Sequence, residues 1–235
     1  MPQWAYRRLQ KTGEGREDPV RVADGTAFHT SAQITQHLLC EDCEGRFSRR
    51  ENYVAKLTTL ENGGPKILQY VTRLNTPRGL LAELSDDIDT AELAYFAGSI
   101  LWRSCVMHRG CQLGPYESQF RSYLLEEAPF PSFAMLGLGI LMPSALSDNS
   151  HNWITEPASL RVGALRLHGF ILCGLAFRCF VGQVLTATMK QICLAGPSPK
   201  KYVSLIPSNQ YGDFLGAFDM LATAKPRGKL ATTRQ

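Results

Sequence analysis

Read by its apolar spacing, the chain divides into a polar N-terminal stretch, a helical middle and a strand-rich C-terminal part. Trp4 to Leu9 is a short amphipathic piece, and Lys11 to Gly25 reads as a polar loop interrupted by Gly13, Gly15 and Pro19. Ser48-Arg-Arg-Glu51 has the form of a capping box, in which the serine hydroxyl takes the N–H of Glu51 and the carboxylate reaches back to Ser48. A helix is predicted behind it, with Tyr53, Leu57 and Leu60 along one side, ended by Asn62-Gly63-Gly64-Pro65. Asp89-Thr-Ala-Glu92 is a second capping box. Leu93, Phe96, Ala97, Ile100 and Leu101 follow it at the spacing of a buried helix face, with Gly110 placed to cap the end. Pro115 opens a further helix that puts Tyr116, Phe120, Tyr123 and Leu124 on one side.

Pro129 to Asn152 breaks any simple helix, with Pro129, Pro131, Gly137 and Gly139, and Ser147-Asp-Asn-Ser150 reads as a turn. From Leu160 the period changes: Leu160, Val162 and Ala164 alternate with Arg161 and Gly163. Phe170 to Val184 predicts one or two buried strands with Gly174 as a bend, and Tyr202 to Ile206 predicts another. Helices followed by strands indicate an α+β fold rather than alternating βαβ units. The expected organisation is a cysteine-containing N-terminal module over 1–62, an α+β core over 63–224 whose C-terminal region is antiparallel and β-rich, and a mobile basic tail over 225–235.

Composition narrows the picture only modestly. With 235 residues, 44 % apolar and 20 % charged, the chain can bury a hydrophobic core, and its net charge of +4 permits a local nucleic-acid patch without demanding one. The N-terminus has no apolar core of a signal peptide, and Phe133–Leu146 and Gly169–Leu185 both fall short of the ~20 clean apolar residues of a membrane span. Arg178 sits in the middle of the second. These features predict a cytoplasmic protein without a membrane association. Seven cysteines are present, of which Cys105, Cys111, Cys173, Cys179 and Cys193 are scattered through apolar stretches and are expected to be buried, reduced thiols.

Cys40-Glu-Asp-Cys43 is the one pair with ligand spacing, since two residues between thiolates let a tight turn aim both sulfurs at one zinc ion. Structural zinc takes four ligands, and the nearest further candidates, as ligand or as base, are His37 and His29. Plain structural cysteines and a redox dithiol are the alternatives. The acids Glu41, Asp42 and Glu44 would raise the thiol pKa values and disfavour redox attack. Arg46, Arg49 and Arg50 cluster where a phosphate backbone could dock, or they pair with Glu41, Asp42, Glu44 and Glu51. The histidines 108, 151 and 168 show no partner spacing, and no nucleophile-elbow sequence is present.

The run from His37 through Cys40-Glu-Asp-Cys43-Glu-Gly-Arg46-Phe-Ser48 to Glu51 resembles a segment of uncharacterised bacterial and phage proteins related to the HNH endonuclease superfamily. Met1-Pro2-Gln-Trp-Ala-Tyr6 is similar to the stretch before the second cysteine pair in those proteins. Leu101-Trp102-Arg103-Ser104 with Leu113-Gly114-Pro-Tyr116-Glu117 is similar to their downstream helical region. The resemblance implies a partial treble-clef-like module with Cys40 and Cys43 as zinc ligands and an association with DNA. The family's first Cys-x2-Cys pair and its histidine before the proline have no counterpart here, and no base can be placed, so the expectation is an HNH-like protein that is catalytically incomplete as written. Two other readings stand beside it: a non-enzymatic structural or protein-interaction protein stapled by the cysteine pair, and an enzyme with a pocket in the C-terminal sheet, for which residues 160–206 supply no convergent acid, base and nucleophile.

Overall fold

The structure is a computed structural model that describes residues 1–9, 20–23, 26–29, 39–76, 81–107, 111–142, 153–182, 190, 192–197, 199–207 and 225–227. In chain order the elements are helix α1 (Gln3–Leu9), strands β1 (Val20–Ala23) and β2 (Thr26–His29), helix α2 (Glu41–Leu57), and the two-residue strands β3 (Leu60–Glu61) and β4 (Gly64–Pro65). A 3-10 turn leads to strands β5 (Val71–Arg73) and β6 (Leu81–Leu84), helix α3 (Thr90–Val106), and a second 3-10 turn into α4 (Glu117–Leu124). Strands β7 (Ala134–Leu141), β8 (Ala158–Val162), β9 (Leu165–Leu172), β10 (Leu175–Val181), β11 (Tyr202–Ile206) and β12 (Lys225–Pro226) complete it. The fold is α+β, with helices in the middle of the chain and a large sheet drawn mostly from its C-terminal half.

That sheet has seven strands in the order β5-β6-β11-β7-β10-β9-β8. Every pairing is antiparallel except that of β11 with β7, which is parallel. Strand β7, Ala-Met-Leu-Gly-Leu-Gly-Ile-Leu, is buried at all its positions, as a strand with no polar face must be. This is why the apolar run there becomes a central strand and not a helix: a strand alternates its side chains between two faces, and here both are covered. On the front face Leu138, Phe170 and Phe177 lie side by side across three strands. Phe96 of α3 packs onto them, its ring 5.6 Å from Phe177 and 6.3 Å from Phe170, while Phe170 and Phe177 stack at 4.9 Å. Helices α2 and α4 flank α3. Ala5, Val54 and Leu57 share one apolar core with these sheet residues. On the back face, Leu141, Ile171, Ala176 and Ile206 form a second cluster against Trp153.

The turns follow from local chemistry. Cys173 and Gly174 join β9 to β10 with φ of 49° and 85°, and Asn62 and Gly63 join β3 to β4 with φ of 52° and 81°. Positive φ at both central residues is the hairpin turn that matches strand twist, and Asn-Gly is its preferred sequence. Asp89 caps α3, its carboxylate accepting the N–H groups of Ala91 and Glu92 at 2.9 and 3.2 Å, but the box is not reciprocal: the Asp89 N–H donates to the Tyr53 hydroxyl at 2.8 Å and Glu92 pairs with Arg50. The Arg8 guanidinium donates to the Thr58 carbonyl and hydroxyl and to the Ala55 carbonyl, closing free C-terminal carbonyls of α2 and fastening α1 to it.

Several expectations are corrected. The helix expected behind Ser48 begins at Glu41, with Cys40 at its N-cap, so the Ser48–Glu51 box lies inside the helix. Three acids in the first turn offset the positive helix end and pull the start upstream. The same helix ends at Leu57, before the Asn-Gly turn. Strand β1 falls in the stretch read as loop, and Lys225–Pro226, read as tail, pair in parallel with Thr26–Ala27 in a three-stranded sheet. Gly110 and Ser147–Ser150 lie outside the described residues. Among the described residues, no helix is long and apolar enough to cross a membrane.

Asp89→Ala removes two cap hydrogen bonds at the start of the buried helix. It is expected to lower stability by about 1 kcal/mol, read as a lower urea midpoint at unchanged m-value. An unchanged midpoint would show that the cap contributes nothing.

Candidate functional sites

The cysteine pair is built by the start of α2. Cys40 has extended backbone, φ −76° and ψ 165°, and its carbonyl accepts the Glu44 N–H at 3.0 Å. This puts Cys40 at the N-cap and Cys43 at the third helical position, one turn apart on the same side. Cys40 is exposed and Cys43 half-buried. The two thiols interact, and they titrate unequally. Cys40 lies below the usual thiol range, first because the Cys43 N–H points toward its sulfur and then because the Cys43 thiol can donate to it, although neither first-turn N–H makes a full cap bond. Cys43 lies above the usual range, first because its proton is held against Cys40 and then through burial. The expectation that the neighbouring acids raise both thiols is thus corrected for Cys40, because the N–H groups of the helix start outweigh Asp42.

Strand β2 ends at His29, upstream of the pair, and His37 lies outside the described residues. Among the described residues, no group of three or more His, Cys, Asp or Glu side chains is gathered as a metal site.

The three arginines go to different places. Only Arg49 is exposed. Arg46 donates to the Leu125 carbonyl at 3.2 Å. Arg50 is 8 % exposed, lies over the Tyr95 ring at 4.2 Å, and pairs with Glu92 at 3.3 Å and Glu126 at 3.0 Å. Arg50 thus ties α2 to α3 and to Glu126, just past α4. Its helical period decides this: Phe47, Arg50, Val54 and Leu57 form the buried stripe of α2. The acids that hold it are remote in sequence, not the nearby Glu41, Asp42 or Glu44, and Glu51 is taken by Arg103 at 2.7 Å. The cleft of about 500 Å³ beside Arg50 carries Glu92, Glu126 and Glu127, so carboxylates outnumber the guanidinium and a phosphate is disfavoured there.

A second constellation escaped the sequence reading. His168 on β9 is fully buried. Its Nδ1 lies 2.8 Å from the Ser159 hydroxyl of β8 and 3.4 Å from the Cys111 sulfur, which follows α3. The Ser159 oxygen accepts the Gln112 N–H at 3.0 Å, and the Ser104 hydroxyl oxygen accepts the Cys111 N–H at 3.2 Å. On the other side of His168, Cys179 is its cross-strand partner on β10. His168 Nε2 is buried with no hydrogen-bond partner among the described residues. Burial, then Arg166, lowers His168 to about 4. Burial, then the neighbouring Cys105, raises Cys111 to about 12. The pair is therefore neutral thiol beside neutral imidazole. One signal was available: Ser159 and His168 are equidistant from the Gly163–Ala164 turn, so a tight hairpin there makes them opposite one another. Cys111 had no such signal, because only the packing of α3 on the sheet brings it over the imidazole.

His168 binds its proton more weakly folded, at about 4, than in an unfolded chain, at about 6.5. Between those values the unfolded state holds more protons, so stability is full above pH 6.5 and falls as pH drops toward 4. The loss should approach roughly 3 kcal/mol, read by urea unfolding across that range, and His168→Gln should flatten the slope. Equal slopes in the two proteins would refute this assignment. Set against known proteins, the chain matches no family model, no curated protein and no solved structure.

Proposed function

We propose that the chain is an HNH-like zinc-binding protein associated with nucleic acid, with Cys40 and Cys43 as two of the metal's ligands. The observation that carries this reading is the placement of both cysteines on the first turn of α2, one turn apart, with their thiols interacting, Cys40 exposed and Cys43 half-buried. Thiols so placed can approach one ion together, and a helix start is where a Cys-x2-Cys pair loses its protons most readily. The β1–β2 hairpin immediately upstream fits the treble-clef-like module implied by the sequence resemblance. His29 and His37 remain the candidates for the further ligands or for a base. Of the basic cluster, Arg49 is left as the residue for a phosphate contact, with DNA as the candidate polymer.

A second reading is favoured by one observation: Arg46 and Arg50 serve the interior. The metal would then staple the hairpin to α2 in a non-enzymatic structural or protein-interaction protein.

Two measurements separate these readings. Metal analysis of the purified chain should find one zinc ion per chain, lost in Cys40→Ser and in Cys43→Ser. Absence of bound metal from the unaltered protein would remove both. Filter binding to duplex DNA should then show affinity that falls as salt rises, as counterion release requires, and that weakens in Arg49→Ala. Zinc without salt-dependent binding would leave the structural staple.

A further inference from the structure

The five cysteines outside the pair are all reduced, and four of them are buried as the sequence predicts. Cys105 departs from this: it is half-buried, on the last turn of α3. The chain after α3 folds back along that turn. The Ser104 hydroxyl oxygen accepts the Cys111 N–H at 3.2 Å, and the Cys105 sulfur accepts the Leu113 N–H at 3.4 Å. Residues 111 and 113 are thereby tied to 104 and 105, and Cys105 is near enough to act electrostatically on Cys111. Cys105 is half-buried, while Cys111 is 1 % exposed and its sulfur lies 3.4 Å from an imidazole nitrogen. A buried histidine with one nitrogen unpartnered is costly to keep for packing alone.

We propose that Cys105 and Cys111 form an oxidisable dithiol, in which Cys105 reacts with a hydroperoxide and Cys111, assisted by His168, resolves the product to a disulfide. In the first step the Cys105 thiolate attacks one peroxide oxygen, the O–O bond breaks, and an alcohol or water leaves with the Cys105 proton. Cys105 is then a sulfenic acid, its sulfur oxidised by two electrons and the peroxide reduced by two. In the second step the Cys111 thiol passes its proton to His168 Nδ1 as its sulfur attacks the Cys105 sulfur. The S–O bond breaks, and the departing hydroxide takes that proton as water. Two thiols and one peroxide thus yield one disulfide, one alcohol or water, and one water. Burial suits the parts: a resolving thiol must stay away from bulk oxidant until its partner has reacted, and the imidazole nitrogen 3.4 Å away gives its proton a place to go as the S–S bond forms, so that no free thiolate is needed. The half-buried Cys105 takes the oxidant ahead of the buried Cys111 because access as well as charge governs thiol oxidation.

The folded, unaltered chain treated with hydrogen peroxide supplies the test. After alkylation of remaining thiols and non-reducing trypsin digestion, peptide Ser104–Arg109 should appear joined to peptide Gly110–Arg121, and reduction should separate them. Cys111→Ser should abolish the joined species and let Cys105 be trapped by dimedone as its sulfenic acid. His168→Gln should slow disulfide formation on the order of 100-fold and alter its pH–rate profile, while leaving the dimedone rate in the Cys111→Ser background unchanged. A disulfide confined to Cys40 and Cys43, or dimedone labelling of Cys105 in the unaltered chain with no joined peptide, would overturn the proposal. A crosslink formed equally fast in His168→Gln would overturn the role of the imidazole.

Discussion

The contact of Phe96 with the stacked pair Phe170 and Phe177 is the interaction on which the rest of the structure depends. It fixes α3 to the front of the sheet, and α2 and α4 take their places from α3. Three large rings buried together contribute several kcal/mol of apolar burial, on the order of 2 kcal/mol each. Their edge and stacked geometries also specify one arrangement among many greasy ones. Everything chemical lies at the margins of this contact. Arg50 ties α2 to α3 on one side, while Cys111 leaves the far end of α3 and comes down over His168.

Three arginines of the helical layer are held by specific partners. Arg8, Arg50 and Arg103 each bind elements distant in sequence, and each also lies against an aromatic ring, Trp4, Tyr95 and Phe47 respectively. A flat guanidinium suits this because its faces are weakly hydrated while its edge is rich in donors. The consequence for function is direct. Arginines that look, in sequence, like a basic patch are in part the joints of the helical layer, and the surface positive charge near the cysteine pair is smaller than the residue count implies.

The two cysteine pairs illustrate opposite environments for one functional group. At Cys40 and Cys43 the start of a helix favours thiolate at Cys40, while Cys43, whose proton is held against Cys40, lies above the usual range. At Cys105 and Cys111 burial suppresses ionisation of the inner thiol, which lies 3.4 Å from a neutral imidazole. Spacing in sequence identifies the first, whereas the second has a spacing that no motif describes.

What the sequence determined by itself is local. The Asp89 cap, the apolar stripe behind it, the helix opened by Pro115 and the strands around Gly174 follow from hydrogen bonds and side-chain periods within a few residues of each other. The α+β character follows from their order. Only the tertiary structure decided the rest, because it depends on residues far apart in the chain. Strand β6 has four residues and no pattern of its own, yet it borders β11, which lies more than 100 residues later. The start of α2 lies at Glu41, upstream of the Ser48 box, where three first-turn acids offset the positive helix end. Arg50 turned inward because Glu92 and Glu126 wait there, and His168 became part of a constellation because α3 carries Cys111 to it. Short-range periodicity encodes which face of an element is apolar, and it carries no information about which distant face will cover it.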